Sequence, residues 1–307
     1  MAVVTGPSTP PTRSGGATAG DWLEGARPRT LPAAVAPVLA GTGVAAHLDG
    51  AVWWKAALAM VVALALQVGV NYANDYSDGI RGTDADRVGP LRLVGSGAAT
   101  PSAVKAAAFA AFGVAVVAGL VLAATTSWWL ALVGALAVLA AWFYTGGKRP
   151  YGYLALGEVM VFVFFGLVAG VGTTYVQTET LPLPAWYAAT GVGVLACAVL
   201  VANNLRDVPT DRVAGKRTLA VLLGDERTRY LYALLVGAAV VALVALALST
   251  SLAALAGLVF LLPVVPAVRL VLTGTSGRAL VAVLARTGVA ELLWGLGAFL
   301  GLLVASR

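Results

Sequence analysis

One cysteine and one histidine in 307 residues leave little room for thiol or imidazole chemistry. Cys197 has no partner for an intramolecular disulfide, and it stands in an apolar run where a small packing residue fits. His47 alone excludes a multi-histidine metal site. Charge is scarce too. Only 11% of the residues are Asp, Glu, Lys or Arg, against 60% hydrophobic residues and a mean hydropathy of +0.89. A soluble domain carries about 45–50% apolar residues. These shortages exclude a soluble enzyme, a disordered chain and a disulfide-stapled secreted module. What remains is a polytopic membrane protein of one domain. The net charge of +6 reads as topology rather than nucleic-acid binding, because basic loops stay on the cytoplasmic side.

Residues 1–20 are rich in Gly, Ser, Thr, Pro and Ala and lack the basic-then-apolar order of a signal peptide. They read as a disordered tail, and residues 21–307 as a single transmembrane domain. Apolar runs near 31–46, 53–72, 103–124, 128–144, 154–174, 186–204, 229–249, 252–272 and 287–305 predict nine transmembrane helices, an all-α membrane bundle. Loop charge tests the count. With the N-terminus inside and the C-terminus outside, every one of the 20 basic residues except Lys55 and Arg307 falls on the inner side. The aromatic pairs Trp53–Trp54, Trp128–Trp129 and Trp186–Tyr187 then sit at outer helix ends, at headgroup level. Outer connections are tight, whereas two inner loops, 74–102 and 205–228, are long and polar. The polar machinery therefore faces the cytoplasm. Ala, Gly and an excess of Arg over Lys point to a high-GC bacterial source, and so to a bacterial plasma membrane.

Two acidic clusters carry the chemistry. Asn71-Tyr72-Ala73-Asn74-Asp75-Tyr76-Ser77-Asp78 ends the second run, and Asp84 follows. Asn203-Asn204-Leu205-Arg206-Asp207 ends the sixth, with Asp211 four residues on. The second and sixth helices differ by four spans, so both clusters emerge on one membrane face. Carboxylates at the mouth of a helical bundle are costly unless hydrated, paired or metal-bound. Two such clusters facing each other make an all-oxygen site for a hard cation, and Mg²⁺ suits it, completing its shell with water and phosphate oxygens. Arg81, Arg87, Arg92, Arg206, Arg212, Lys216 and Arg217 are interleaved with the acids. Acids holding Mg²⁺ beside bases holding phosphate is how proteins bind a diphosphate. Arg87, Arg92, Arg227 and Arg229 read as solvated topology determinants.

Other polar residues admit two readings each. Arg27-Pro28-Arg29 anchors the first helix at the interface or supplies a ligand. Lys148, in Tyr144-Thr145-Gly146-Gly147-Lys148, reaches a phosphate or stands as loop charge. Glu158 and Glu291 lie inside apolar runs, where an acid is functional by default or pairs with Arg149 and Arg286. Gly157, Gly166, Gly170 and Gly172 suit close helix packing.

The pattern Asn74-Asp75-x-x-Asp78 with Asp207-x-x-x-Asp211 resembles the UbiA-type intramembrane prenyltransferases. So do Ala26-Arg27-Pro28-Arg29-Thr30-Leu31-Pro32, the Tyr144–Tyr153 stretch, Leu156-Gly157-Glu158 and Gly215-Lys216-Arg217-Thr218-Leu219-Ala220. The flanking text is most similar to the menaquinone-pathway branch, the 1,4-dihydroxy-2-naphthoate polyprenyltransferases. That resemblance implies Mg²⁺ held by Asn74, Asp75, Asp78, Asp207 and Asp211, gripping a polyprenyl diphosphate. Lys148 and Lys216, with Arg81 or Arg206, would neutralise the departing diphosphate. Tyr144 or Tyr72 would face the allylic cation. Arg29 would hold the carboxylate of 1,4-dihydroxy-2-naphthoate, and Asn71, Asn203, Asn204 and Glu158 would complete the substrate site. The product would be demethylmenaquinone, with loss of CO₂, and the isoprenoid tail would lie in a tunnel open to membrane lipid. Other acceptors, such as 4-hydroxybenzoate or homogentisate, fit the same motifs. A cation-coupled transporter fits less well, because its charges would lie at mid-membrane on inverted repeats.

Overall fold

Helices form wherever the apolar runs lie. The computed structural model describes residues 16–82, 91–148 and 150–306. In chain order the helices are α1 (Ala19–Gly25), α2 (Pro32–His47), α3 (Trp53–Arg81), α4 (Pro101–Thr125), α5 (Trp129–Phe143), α6 (Gly157–Thr178), α7 (Leu183–Val213), α8 (Leu219–Leu223), α9 (Asp225–Ser249), α10 (Leu252–Leu272) and α11 (Gly277–Ala305). Among the described residues, seven of these are long and apolar enough to cross a membrane. An eighth span results if Ala19–Thr30 and Pro32–His47, bent by 50°, count as one. The fourth predicted run falls short. Helix α5 has 15 residues, about 22 Å at 1.5 Å per residue, against a hydrocarbon core of about 30 Å. The chain is thus an all-helical, multi-pass membrane protein. Its outer surface exposes Val117, Leu132, Leu234, Val241, Leu248 and Leu262, as the lipid-facing side of a membrane helix does.

The N-terminal boundary differs slightly from expectation. Residues 1–15 lie outside the described residues, but Thr18 already caps α1: its Oγ1 accepts from Asp21 N at 3.2 Å, and Asp21 Oδ2 accepts from Thr18 N at 2.8 Å. Such a reciprocal capping pair fixes a helix start.

Helix α7 is the central post. Small residues let its neighbours press close. A Cβ on Gly166 of α6 would lie 2.7 Å from Gly193 Cα, and one on Gly170 would lie 2.8 Å from Ala189 Cβ. Helix α11 closes on α2 at Gly295 and Ala36, and on α10 at Gly297 and Gly257, with similar proximity. Gly172, expected to serve packing, has nothing within 4 Å of its Cβ position and instead lines a cavity. Residues Phe162–Val168 of α6 wind as a π-helix, which shifts the register of the cavity-facing side chains partway along the span.

Helices α3 and α7 have 29 and 31 residues, roughly 44 and 46 Å. Both exceed the bilayer core, and both carry the acidic motifs on their protruding ends. Residues 74–81 and 205–213 are therefore helix where loops were expected. At the opposite end, buried Lys55 donates to Thr125 O (3.0 Å) and Thr126 Oγ1 (2.9 Å), and Gln177 Oε1 accepts from Val52 N (3.2 Å). Those bonds tie the start of α3 to the ends of α4 and α6. Arg229, expected in solvent, is buried. It pairs with Asp225 and donates to Val271 O and Thr275 O, satisfying carbonyls at the end of α10.

Candidate active site

A cavity of about 1710 Å³ opens among α2, α3, α5, α6, α7 and α11. Along α3 its wall is the stripe Gln67, Asn71, Asn74 and Asp78; along α7 it is Asn203, Asn204, Arg206, Asp207 and Asp211. Steps of three and four residues keep a stripe on one helical face. Away from the acids the wall turns apolar, through Leu66, Val133, Phe164 and Val168 toward Trp129 and Tyr175. The cavity is therefore polar at the motif end and greasy along the rest.

Three carboxylates at the polar end each face a cation. Asp207 is gripped by Arg206, Nε to Oδ1 at 2.6 Å and Nη2 to Oδ2 at 2.7 Å. Asp211 stands 3.9 Å from Lys216 Nζ, and Asp78 stands 3.7 Å from Arg92 Nη2. Arg92, expected as a solvated topology determinant, is thus part of the cavity wall, nearly buried. Asn203 Oδ1 accepts from Arg206 Nη2 at 2.9 Å.

The supporting residues have definite tasks. Asn74 Oδ1 accepts from Thr145 Oγ1 at 2.7 Å. Asn71 Nδ2 donates to Ala26 O and Thr30 Oγ1, both at 2.9 Å. That tether fixes the bend at Arg27, whose φ of 55° is left-handed, and leaves Arg29 on the cavity wall. Asn204 is held from behind by Glu158, whose Oε1 accepts its Nδ2 at 2.9 Å. Glu158 itself is off the wall; it orients Asn204. Arg149, its expected partner, lies outside the described residues. Glu291 does reach the wall, fully buried, and neither carboxyl oxygen has a hydrogen bond among the described residues. Arg286, its expected partner, is exposed.

Several expected members stand elsewhere. Asp75 is fully buried and off the cavity wall; its Oδ2 accepts from Leu93 N at 2.8 Å and its Oδ1 from Val94 N at 3.1 Å. Arg81 donates to Thr145 O and Gly147 O and lies over the Tyr153 ring, so it caps the end of α5 instead of facing the cavity. Lys148 is exposed and off the wall. Tyr144 lines the cavity, whereas the Tyr72 hydroxyl donates to Trp22 O at 2.8 Å. Arg87 and Asp84 lie outside the described residues.

Tyr153 joins the site without having been singled out. Its hydroxyl donates to Asp78 Oδ1 at 2.9 Å, Lys216 Nζ lies 4.7 Å from its ring centroid, and its carbonyl accepts from Arg217 N at 3.1 Å. Burial first, and then the negative charge of Asp78, raise its phenol above the ordinary value, so it stays a donor. One residue thereby links the two acidic clusters. Nothing in its local spacing marks it.

The model of the UbiA prenyltransferase family matches residues 34–287. A 1,4-dihydroxy-2-naphthoate octaprenyltransferase of Mycobacterium tuberculosis is 55% identical over 275 residues, 90% of this chain and 94% of that one. The enzyme of the same description from Escherichia coli is 41% identical over 236 residues, covering 72% and 74%. Among solved structures, a ligand-free UbiA homologue from Aeropyrum pernix matches with a TM-score of 0.66 at 16% identity, over 89% of this chain and 97% of that chain. A UbiA homologue from Archaeoglobus fulgidus bound to GPP and Mg²⁺ matches with a TM-score of 0.61 at 16% identity, over 92% and 99%. With the family model spanning most of its length and two such relatives beside it, this chain belongs to the UbiA prenyltransferase family.

Proposed function

We infer that the protein transfers a polyprenyl group from polyprenyl diphosphate to 1,4-dihydroxy-2-naphthoate with release of CO₂, a step of menaquinone biosynthesis. The observation that carries this reading is the pairing of Asp78, Asp207 and Asp211 with Arg92, Arg206 and Lys216 at the mouth of a long apolar cavity. The relatives' activity supports the acceptor.

The donor set suits Mg²⁺. It is all oxygen, and among the described residues no three acidic, His or Cys side chains converge into a self-sufficient metal cage. Mg²⁺ is commonly held by one or two carboxylates, with phosphate oxygens and water completing the shell. Asn74 and Asp78 on one wall and Asp207 and Asp211 on the other would hold it. When bound it supplies positive charge against the leaving diphosphate. Arg92, Arg206 and Lys216, which face those carboxylates, would hold phosphate oxygens. The C–O bond to the allylic carbon breaks, and the electron pair departs on the diphosphate. Tyr144, on the cavity wall, would stabilise the resulting cation with its aromatic ring. The ring carbon that bears the carboxylate forms the new C–C bond. The carboxylate leaves as CO₂, its bonding electrons restoring the aromatic ring, and the product is the quinol form of demethylmenaquinone. Arg29 anchors the acceptor carboxylate. Lys148 would act on phosphate only after its loop moves inward.

The finer topology is nine spans, α5 being the short one, with the N-terminus and the acidic motifs in the cytoplasm of a bacterial cell and the apolar cavity reaching lipid. The concentration of basic residues at the motif end supports it. Gly215→Cys should be shielded from an impermeant thiol reagent in intact cells and Glu179→Cys labelled; the reverse pattern inverts the orientation. For the reaction, purified protein with Mg²⁺, polyprenyl diphosphate and carboxyl-labelled naphthoate should release labelled CO₂ in step with prenylated product. Prenylation of 4-hydroxybenzoate with its carboxylate retained, and no turnover of naphthoate, would move the protein to another acceptor within the family.

A further inference from the structure

Three side chains with polar atoms are fully buried on α11, and two of them are satisfied. Thr287 Oγ1 donates to Val283 O at 2.7 Å and meets the Tyr232 hydroxyl at 2.7 Å. Trp294 Nε1 donates to Ala239 O at 3.1 Å. Glu291 stands between them, and neither of its carboxyl oxygens has a hydrogen-bond partner among the described residues. An acid kept inside a membrane span is costly, and its default reading is a functional one. Its own helix supplies no partner. Arg286 is exposed, and the other residues that α11 gives to the cavity wall are Arg278, Val281, Leu284, Ala285 and Gly288. Arg278 lies about 20 Å away along the helix axis. A Cβ on Gly288 would lie 3.4 Å from Arg29 O, and one on Gly295 would lie 2.6 Å from Ala36 O. Glu291 comes between those two contacts with α2, about 4.5 Å along the helix from Gly288. Beyond it, Trp294 packs over Gly191 of α7 with no room for a Cβ. To the same cavity α7 gives Ala196, Val199 and Leu200, and α2 gives Pro32 and Ala33. Glu291 is therefore an unpaired acid on an apolar stretch of wall, about one turn beyond the Arg29 backbone.

We propose that Glu291 is a specificity-determining residue that accepts a hydrogen bond from the ring hydroxyl of the aromatic acceptor that is remote from its carboxylate. The proposal rests on the naphthoate reading above and deepens it. In 1,4-dihydroxy-2-naphthoate one hydroxyl neighbours the carboxylate, and the other lies across the same ring. With the carboxylate on Arg29, the second hydroxyl points away from that anchor, and Glu291 stands one turn of α11 further along the cavity. An ionised carboxylate only accepts hydrogen bonds, so it suits an O–H. Anchors at opposite edges of a ring fix its orientation as well as its affinity, and these two hold the carboxylate-bearing carbon toward the motif end. An acceptor without the second hydroxyl would leave Glu291 buried and unpaired. That is how a polar site rejects a ligand that is otherwise the same.

The test measures acceptor binding to the full-length protein in lipid nanodiscs by calorimetry, with Mg²⁺ and inorganic diphosphate present so that no prenyl transfer occurs. The two ligands are 1,4-dihydroxy-2-naphthoate and 1-hydroxy-2-naphthoate, which lacks the remote hydroxyl. Wild type should prefer the dihydroxy acid by roughly 10–100-fold, the size expected of a hydrogen bond to a charged group. Glu291→Leu should bind both acids alike, which closes a cycle that isolates the contact. Glu291→Gln keeps an oxygen acceptor and should retain part of the preference. Thermal unfolding separates this role from a structural one. Glu291→Leu removes an unpaired buried acid and should unfold at or above the wild-type midpoint. In turnover, Glu291→Leu should raise KM for the dihydroxy acid and leave KM for the prenyl donor unchanged. The full preference persisting in Glu291→Leu, or an equal rise in both KM values, would overturn the proposal. If Glu291→Leu fails to fold, Glu291→Gln decides: a reduced preference supports the site, and the full wild-type preference overturns it. Wild type that binds and prenylates neither acid overturns the naphthoate reading and this site together. Wild type that binds both acids equally overturns the site alone.

Discussion

On α7, Asp207 and Asp211 stand four residues apart and both line the cavity; on α3, Asp75 and Asp78 stand three apart and only Asp78 does. The difference lies in angular position rather than in spacing alone, since Asn71 and Asn74 stand three apart and both line the cavity, while Asp75, four residues from Asn71, turns to the backbone of Leu93 and Val94. Four residues advance a helix by about 400°, leaving side chains about 40° apart, whereas three leave them about 60° apart in the other sense. Asn74 and Asp78 share the four-residue relation of Asp207 and Asp211. The first cluster's equivalent pair is therefore Asn74 with Asp78, and the extra carboxylate on the flank is free to hold a loop. Two acidic motifs that read as copies have divided their labour.

The largest effects should come from the matched positions. Asp78→Asn, Asp207→Asn and Asp211→Asn should each leave the protein inserted in the membrane with turnover reduced by roughly 10²-fold or more, by analogy with losing a key electrostatic group. EDTA should abolish wild-type turnover and Mg²⁺ restore it. Full turnover in EDTA, measured as prenylated product by mass spectrometry, would remove the metal from the site altogether.

Next in size is the acceptor anchor. The α3 stripe also controls Arg29, because Asn71 and Gln67 bond to Ala26 and Thr30 on either side of the Arg27-Pro28-Arg29 turn. Arg29→Ala should raise the acceptor KM by roughly 10–100-fold, the loss of a charge-assisted hydrogen bond, with little change in KM for the prenyl donor. An equal rise in both KM values would assign Arg29 to the diphosphate.

How much of this was legible in the sequence depends on which side of a helix is asked about. The hydropathy runs located every long helix, and helical spacing put Asp75 with Asp78 on one face of the second helix; the structure keeps Asp78, Asp207 and Asp211 on the cavity wall and sets Asp75 off it. The spacing did not say what occupies the flank of that face. Asp75 is paired by backbone from residues eighteen and nineteen positions away, and no local pattern encodes such a pairing. Arg92, Arg229 and Tyr153 escaped for the same reason. Each is placed by a distant partner: Asp78 for Arg92 and Tyr153, and the end of α10 for Arg229. The helix ends were hidden too. A hydrophobic window stops where charges begin, yet α3 and α7 continue through their charged motifs as helix.

A smaller effect should separate Glu158 from the residues that touch substrate. Glu158→Gln keeps an oxygen for Asn204 and should act within a few-fold of wild type. Glu158→Leu leaves the Asn204 amide unpaired inside the bundle, which costs about 1–3 kcal/mol, and should lower thermal stability as well as activity. If Glu158→Gln alone lost a hundredfold in turnover, the carboxylate itself would have to meet the substrate, and the backing role on α7 would fall.

The smallest effect on chemistry, though not on stability, should lie at the far end of the bundle. Lys55 is as buried as the acids of the site, and it too meets a carboxylate, Glu179, at 3.9 Å. Yet its short contacts are to Thr125 O, at the end of α4, and to Thr126 Oγ1, just beyond it. At the motif end, cations face carboxylates that a metal can claim. At this end the cation's short contacts are a carbonyl and a hydroxyl, which tie α3 to the end of α4. Lys55→Met keeps the aliphatic stem and removes the ammonium. It should lower the unfolding midpoint, since about 1–3 kcal/mol accompanies loss of one partner from a buried hydrogen bond, while KM for donor, KM for acceptor and the Mg²⁺ midpoint stay at wild-type values. A changed Mg²⁺ midpoint would mean that the two ends are coupled through α3, and that the division between a structural end and a chemical end is wrong.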